Sequence, residues 1–284
     1  MQDRRDFLKT SAAALAATAF PWPAMASTRH NKLDTIGVQL YTVRKEMERD
    51  FEGTIARVAE IGFKEVEFAG YFNHTPEQVK AILSRLELSS PAGHMPYESL
   101  NEARSWSETL DSANRIGHRY VVIAWTPQEA RRTLDDWKRV AEKFNWAARA
   151  AREAGLTFAY HNHDFEFTSL GQGPIPFDLL LEETDPELVK IEMDLYWITL
   201  GRQDPFRYFE KYPGRFPMVH VKDMKKGGER TQMVDVGKGD IDFRAIFARR
   251  EEAGIRHFFV EHDEPADPFA SISTSYRYLK ALDF

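Results

Sequence analysis

The chain has 284 residues, 43% hydrophobic and 29% charged, with 16 glycines and 14 prolines; this is a globular composition and excludes disordered and collagen-like chains. A net charge of -6, from 38 Lys and Arg against 44 Asp and Glu, leaves no basic excess to neutralise a nucleic-acid backbone. Zero cysteines exclude disulfides, thiolate catalysis and Cys-ligated zinc, so any metal must be held by His and carboxylate.

The chain opens on Arg4-Arg5-Asp6-Phe7-Leu8-Lys9, continues through an Ala-rich apolar region and reaches the small-x-small pattern Ala24-Met25-Ala26. This resembles a twin-arginine (Tat) signal peptide, with Asp3 standing where Ser or Thr is usual. The apolar stretch contains Pro21 and Pro23 and falls short of the roughly 20 residues that cross a bilayer as a helix. The reading is a leader over residues 1–26, cleaved after Ala26, and a mature domain over residues 27–284 without a membrane span. The resemblance implies the Tat translocase as a partner during export and a periplasmic address. Because that route carries folded and often cofactor-loaded proteins, it also leans towards a metal protein.

From residue 35 onward, short β-branched or aromatic runs alternate with longer segments of helical period, and no Pro/Gly/Ser-rich linker divides them. Strands are predicted at 35–41, 65–69, 90–94, 120–125, 157–163, 189–194, 217–223 and 257–263. Helices are predicted after them, at 51–61, 76–86, 100–116, 134–154, 177–183, 205–212, 243–253 and 269–282. Gly62 and Gly155 stop helices, and Thr75-Pro76 starts one. Eight βα units in about 250 residues predict a single-domain α/β protein, a (β/α)8 TIM barrel. A doubly wound sheet is the competing reading, but no strand runs into a Gly-x-Gly-x-x-Gly turn.

In such a barrel the site lies where strands end. The fifth strand ends in His161-Asn162-His163, the sixth in Glu192-Met193-Asp194, the seventh in His220-Val221-Lys222-Asp223 and the eighth in Glu261-His262-Asp263. Side chains two apart share a face, which groups His161 with His163, Glu192 with Asp194, His220 with Lys222, and Glu261 with Asp263. One ligand from each strand gives His161, Asp194, His220 and Glu261, separated by 33, 26 and 41 residues, about one βα unit each. Imidazole plus carboxylate suits one divalent Mn, Zn, Co or Fe ion better than Ca or Mg.

Several segments together resemble the xylose isomerase-like TIM barrels, a family of sugar phosphate isomerases/epimerases related to endonuclease IV (AP endonuclease family 2). They are Gly37-Val38-Gln39-Leu40-Tyr41, Gly62-Phe63-Lys64-Glu65-Val66-Glu67, Ala92-Gly93-His94, Tyr160-His161-Asn162-His163, Met193-Asp194, His220-Val221-Lys222-Asp223, the run from Val236 to Phe243 and Val260-Glu261. The resemblance implies a divalent metal held by strands 5 to 8, with two Glu residues shuttling protons. It also implies that His94 contacts substrate. This chain departs at strand 5, where His161 stands in a position that is often Glu.

Glu261 then remains as the base, and the second proton-transfer role falls to His163, His161 or Glu166. Lys222 is placed to donate to a substrate hydroxyl or an enolate. Glu67 and Trp197 are the further candidate substrate contacts, against readings as a buried ion pair and as packing. His163 has the alternative of orienting His161, and Gly237-Lys238-Gly239 is either an anion cradle or a turn. Three functions are open: a metal-dependent isomerase or epimerase of a non-phosphorylated sugar; a lyase, hydratase or dehydratase of a 3-keto-sugar, 3-keto-glycoside or inosose; and a non-catalytic periplasmic sugar-binding protein. The expected partner is a small carbohydrate, not nucleic acid, and the sequence is compatible with a homo-oligomer.

Overall fold

A computed structural model describes residues 31–226 and 232–284; the leader expected over residues 1–26 lies outside the described residues. Strands β1 (Gly37–Gln39), β2 (Glu65–Phe68), β3 (Ser89–Met95), β4 (Tyr120–Ile123), β5 (Thr157–His161), β6 (Val189–Asp194), β7 (Met218–Val221) and β10 (His257–Val260) form a closed parallel barrel. The closing pair is β1 with β10, where Gly37 faces Phe259. A Cβ at residue 37 would stand 2.6 Å from the Phe259 ring, so the seam needs glycine. Pro91 lies within β3, and the β2–β3 ladder shifts register between Glu65 and Glu67.

Helices fill the crossovers: α1 (Arg44–Arg49), α2 (Phe51–Ile61), α3 (Pro76–Arg85), α4 (Ala103–Ile116), α5 (Leu134–Glu153), α6 (Pro176–Glu183), α7 (Leu195–Leu200), α8 (Pro205–Lys211), α9 (Phe243–Ala248), α10 (Arg250–Ala253) and α11 (Pro268–Ala281). Their starts are encoded locally. Thr75 with Gln78, and Thr133 with Asp136, form reciprocal capping boxes on α3 and α5. Gly62, at φ 119°, ends α2 in the left-handed conformation that glycine tolerates.

Three expectations change. The helix expected over 243–253 is two short helices that meet at Arg249. The strand expected over 217–223 stops at Val221, and the chain turns into an antiparallel hairpin of β8 (Asp223–Lys225) and β9 (Gln232–Val234). Helices α1 and α7, which lack long periodic sequence, were not foreseen.

The main apolar core lies between strands and helices, with Phe63, Phe144, Phe158 and Phe209 fully buried. Inside the barrel a smaller cluster of Ala92, Tyr120, Val122, Ala159, Met218 and Phe259 fills the lower part. Above this apolar plug lie the buried polar side chains of Gln39, Glu67, His161, Glu192 and His220, and there the site begins. Among the described residues no helix is long and apolar enough to cross a membrane.

Candidate active site and metal centre

The barrel register places His161 beside Glu192, Asp194 beside His220, and Gln39 beside Glu67. Two polar layers result. On β6 and at the end of β7 they are separated by one side-chain period, Glu192 from Asp194 and His220 from Lys222, about 6.6 Å at 3.3 Å per residue. The deep layer holds Gln39, Glu67, His94, His161, Glu192 and His220. The upper layer holds Asp194, Lys222, Glu261 and Asp263.

In the deep layer Glu192 Oε2 lies 2.9 Å from His94 Nε2, 3.2 Å from His161 Nδ1 and 3.1 Å from His220 Nε2. Glu67 Oε2 lies 2.7 Å from His220 Nε2 and 3.4 Å from His94 Nε2, and it accepts a hydrogen bond from Gln39 Nε2 at 2.8 Å. Both carboxylates are fully buried. His94, the substrate contact that the resemblance implies, lies within β3 and reaches Glu192 and Glu67 inside the barrel.

The upper layer is built around an ammonium group. Lys222 Nζ lies 2.7 Å from Glu261 Oε2, 2.8 Å from Asp263 Oδ1 and 3.1 Å from Asp194 Oδ2. His220 Nδ1 lies 2.7 Å from Glu261 Oε2. Asp194 divides its two oxygens. Oδ1 caps α7 by accepting the N–H groups of Tyr196 and Trp197, both at 2.9 Å. Oδ2 is buried and has no aligned hydrogen-bond donor, the Lys222 ion pair notwithstanding. It lies 3.8 Å from His161 Nε2 and 4.0 Å from His220 Nδ1.

The four expected ligands, His161, Asp194, His220 and Glu261, therefore do meet around one region. Two overlapping sets can hold a cation: Asp194, His220 and Glu261, or His94, His161, Glu192 and His220, the candidate atoms of each set lying within 4.8 Å of one another. Buried oxygens without a hydrogen bond on Asp194, Glu67 and Glu192, beside three imidazoles, are donors of the type that fits a transition metal.

Charge states follow from burial and from these neighbours. Burial opposes ionisation of Glu261, but Lys222 and His220 outweigh it and hold the carboxyl well below its ordinary range. Burial likewise opposes Lys222, and Asp194, Glu261 and Asp263 overcome it, so the ammonium is retained. Burial pushes Asp194 up to about 6 and Glu67 up to about 7, the latter helped by the Glu192 charge. His163 is driven down to about 2 by burial, then by His161 and Lys222, and stays neutral.

A cavity of about 810 Å³ opens over the layers, lined among others by Tyr41, His94, Trp125, His163, Lys222 and Glu261. His163 lines it with a buried Nδ1 that has no partner, and its ring meets His161 edge-on at 5.0 Å, so it does not orient His161 through a hydrogen bond. Trp197 stands behind, its ring 5.6 Å from Lys222 Nζ and 5.7 Å from His163.

Two sequence candidates are not brought to the cavity. Glu166 is fully buried, accepting the Tyr160 hydroxyl and the His163 backbone N–H at 2.9 Å, and burial pushes it up to about 8. Its physical role is to hold the β5 loop. Glu67 lies beneath the cavity in the deep layer, where it pairs with Gln39 and His220 rather than with an arginine.

Sequence reasoning missed Glu192 and Gln39. The signal for Glu192 was present, since it shares a face with Asp194, but only one residue per strand was chosen. The Gly237-Lys238-Gly239 run does cradle an anion, and the anion is Asp223 of the chain itself. Asp223 Oδ2 accepts the N–H groups of Gly237 and Gly239, both at 2.9 Å, and Oδ1 accepts those of Met224 at 2.8 Å and Ile241 at 3.3 Å.

Residues 55–282 match the family described as the xylose isomerase-like TIM barrel. The chain belongs to that family. Residues 1–21 match the twin-arginine translocation signal sequence, which indicates export by that route. Among relatives of this TIM barrel, an inosose dehydratase of Geobacillus kaustophilus is 26% identical over 264 residues, covering 80% of this chain and 83% of the relative. An inosose dehydratase of Clostridium perfringens is 25% identical over 275 residues, covering 82% and 90%. The crystal structure of a sugar phosphate isomerase/epimerase from Parabacteroides distasonis superposes with a TM-score of 0.76 at 27% identity, covering 90% of this chain and 96% of that one.

Proposed function

We propose that the protein is an enzyme acting on carbohydrates, specifically a metal-dependent lyase of the dehydratase type. Its substrate is a non-phosphorylated keto-sugar, 3-keto-glycoside or keto-cyclitol met in the periplasm. The observation that carries the reading is the ion pair of Glu261 Oε2 and Lys222 Nζ, 2.7 Å apart and lining the cavity, opposite a β5 wall that offers His161 and His163 and no carboxylate. Epimerisation needs proton carriers on both faces of a carbon, whereas elimination runs with one base. The inosose dehydratase relatives support the same choice. Export away from the main pool of sugar phosphates favours an unphosphorylated substrate.

Glu261, kept ionised by Lys222 and His220, accepts the proton on the carbon beside the ketone. Lys222 Nζ donates a hydrogen bond to the oxygen that becomes an enolate. The group on the next carbon, a hydroxyl or a glycoside oxygen, leaves with the proton that Glu261 took up, so water or an alcohol departs and a C=C bond forms. His163 Nδ1, unpartnered at the cavity wall, hydrogen-bonds a substrate hydroxyl. A divalent transition metal, when bound, supplies polarisation of the ketone. His220 belongs to either set that would hold it, with Asp194 and Glu261 or with His94, His161 and Glu192.

The isomerase or epimerase reading is second, supported by the Parabacteroides distasonis structure, and it requires His163 to return the proton. Incubation of metal-loaded protein with free sugars, 3-keto-glucosides and inososes in deuterated water tests the choice. The expected result is an unsaturated ketone with release of water or aglycone. An isomerised sugar carrying deuterium and no unsaturated product overturns it in favour of the isomerase; tight binding without conversion points to a binding protein.

A further inference from the structure

We propose that the rim of the cavity is a subsite for a second ring, built by Trp125, Tyr41 and Met233, which takes the aglycone of a glycoside while the ketone-bearing ring lies deeper, against Lys222, Glu261 and His163. This rests on the lyase reading above and narrows its three substrate classes to one, the 3-keto-glycoside.

The cavity has two unlike ends. At the inner end its lining is charged and buried, with Lys222 2% and Glu261 5% exposed. At the outer end it is aromatic and open. Among the described residues three large hydrophobic side chains are exposed, and two of them, Trp125 at 51% and Tyr41 at 38%, line this cavity. Large apolar side chains that converge on one opening mark a binding surface. Tyr41 follows β1 and Trp125 follows β4, three places round the barrel, so they flank the mouth. Met233, from the β8–β9 hairpin, joins the same rim. His163 stands at the border, its ring 5.0 Å from His161 and 5.1 Å from Trp125.

These side chains are held in place although water reaches them. Arg44 lies 3.9 Å over the Tyr41 ring, and its Nη1 donates to the carbonyls of Tyr41 at 2.8 Å and Asp263 at 2.7 Å. Trp125 meets the rings of His163 and Phe165 edge-on, both at 5.1 Å. Arg131 in turn covers Phe165 at 3.5 Å, and its Nε donates to the Thr126 carbonyl at 2.8 Å. Met233 Sδ accepts the Asp263 N–H at 3.3 Å. A ring that stacks on braced side chains gains contact without paying to order them.

Size and chemistry agree. The cavity, about 810 Å³, lies in the upper part of the roughly 300–1,000 Å³ range of sites for drug-sized ligands, and a single sugar ring fills only its inner end. An inosose or free keto-sugar therefore leaves the rim rings in water. In a 3-keto-glycoside the carbon next to the acidic C–H carries the glycosidic oxygen. Glu261 takes that proton, the C–H electron pair becomes the C=C bond, the C–O bond breaks and the proton passes to the departing oxygen. The leaving group is then the second ring itself, released as an alcohol from the rim. An aryl ring and the C–H face of a second sugar both offer the flat apolar surface that stacks on Trp and Tyr.

The test is calorimetric titration of Glu261→Gln, in which turnover is blocked, with the methyl, phenyl and glucosyl 3-keto-β-glucosides. The phenyl or the glucosyl compound should bind about 10- to 100-fold tighter than the methyl compound, and whichever does identifies the aglycone as aryl or sugar. Adding Trp125→Ala or Tyr41→Ala should erase that preference, and Trp125→Phe should restore most of it. Equal binding of all three compounds, binding of none, or a preference that survives both rim substitutions overturns the proposal; the comparison without rim substitutions decides if a rim variant does not fold. Turnover by the wild type separates the two readings. Aglycone release without any ring preference leaves the lyase and removes the subsite, whereas ring preference without aglycone release removes the lyase and leaves the subsite.

Discussion

Asp223→Ala removes a buried carboxylate that organises the chain after β7, and the structure sets the size of the effect. Asp223 is 1% exposed and accepts four backbone N–H groups, three of them, from Gly237, Gly239 and Ile241, reaching across the loop after β9. Hydrogen bonds to a charged acceptor contribute about 1.5–3 kcal/mol each, but Gly237 is exposed and water can replace part of what it loses. Taking the lower figure for the three long-range bonds gives a loss of about 4 kcal/mol. For a domain of this size each kcal/mol lowers Tm by about 2–4 °C, so Asp223→Ala should melt about 8–16 °C below the parent. Asp223→Asn keeps one acceptor oxygen and turns an amide towards donors, so about half the loss is expected. Circular dichroism melts and urea midpoints of the mature protein, with unchanged m values, measure both. A Tm within 2 °C of the parent for Asp223→Ala would refute the claim that this carboxylate holds the loop.

Glu261→Gln should lower turnover by a factor on the order of 10² to 10⁴ with substrate affinity changed much less, measured as kcat and KM on whichever substrate the panel identifies; parental turnover would move the base elsewhere. Glu166 is raised from 4.5 to about 8 by burial, so its contribution to stability is fully present below pH 4.5 and is lost as pH rises towards 8. Over that window wild type should lose about 1.4 kcal/mol per pH unit relative to Glu166→Gln, and parallel denaturation curves at pH 5 and pH 7.5 would remove the basis for this. Replacing both Arg4 and Arg5 with Lys keeps the charge but loses the guanidinium pair. Uncleaved protein should then stay in the cytoplasm, and normal periplasmic accumulation, followed by fractionation, would contradict the export route.

The barrel was legible because its elements carry local signals. Alternation and turn residues marked each strand, and β6 was read to the residue as Val189–Asp194. The caps at Thr75 and Thr133 set the starts of α3 and α5. What escaped depends on distant partners. The break at Lys222 exists because Asp223 is captured by N–H groups 14 to 18 residues away, which no local pattern announces. Period two placed Glu192 and Asp194 on one face, yet only barrel register shows that they lie in different layers, one facing three imidazoles and the other an ammonium. Glu67 and His94 come from β2 and β3, across the barrel from the strand ends that carry the runs of His, Asp and Glu. Glu166, a catalytic candidate from its position after β5, is kept from the cavity because a neighbouring strand residue, Tyr160, draws its carboxyl inward.

The pairing of β1 with β10 carries a consequence for biosynthesis. A ribosome makes the leader first and the seam last, because the strand that completes the barrel begins only at His257. Until then β1 and β7 each present a bare edge of unpaired N–H and C=O groups, the kind of surface that recruits foreign strands. The backbone N–H of Phe284 then bonds to the carbonyl of Asn31 at 3.0 Å, which brings the far end of the chain back to the beginning of the domain. For a protein whose leader addresses a translocase that takes folded cargo, closure is a built-in proofreading step. A chain interrupted anywhere before β10 still displays a valid address yet remains an open, sticky sheet, so premature stops in the last quarter of the gene should yield aggregates in the cytoplasm rather than shortened protein outside it.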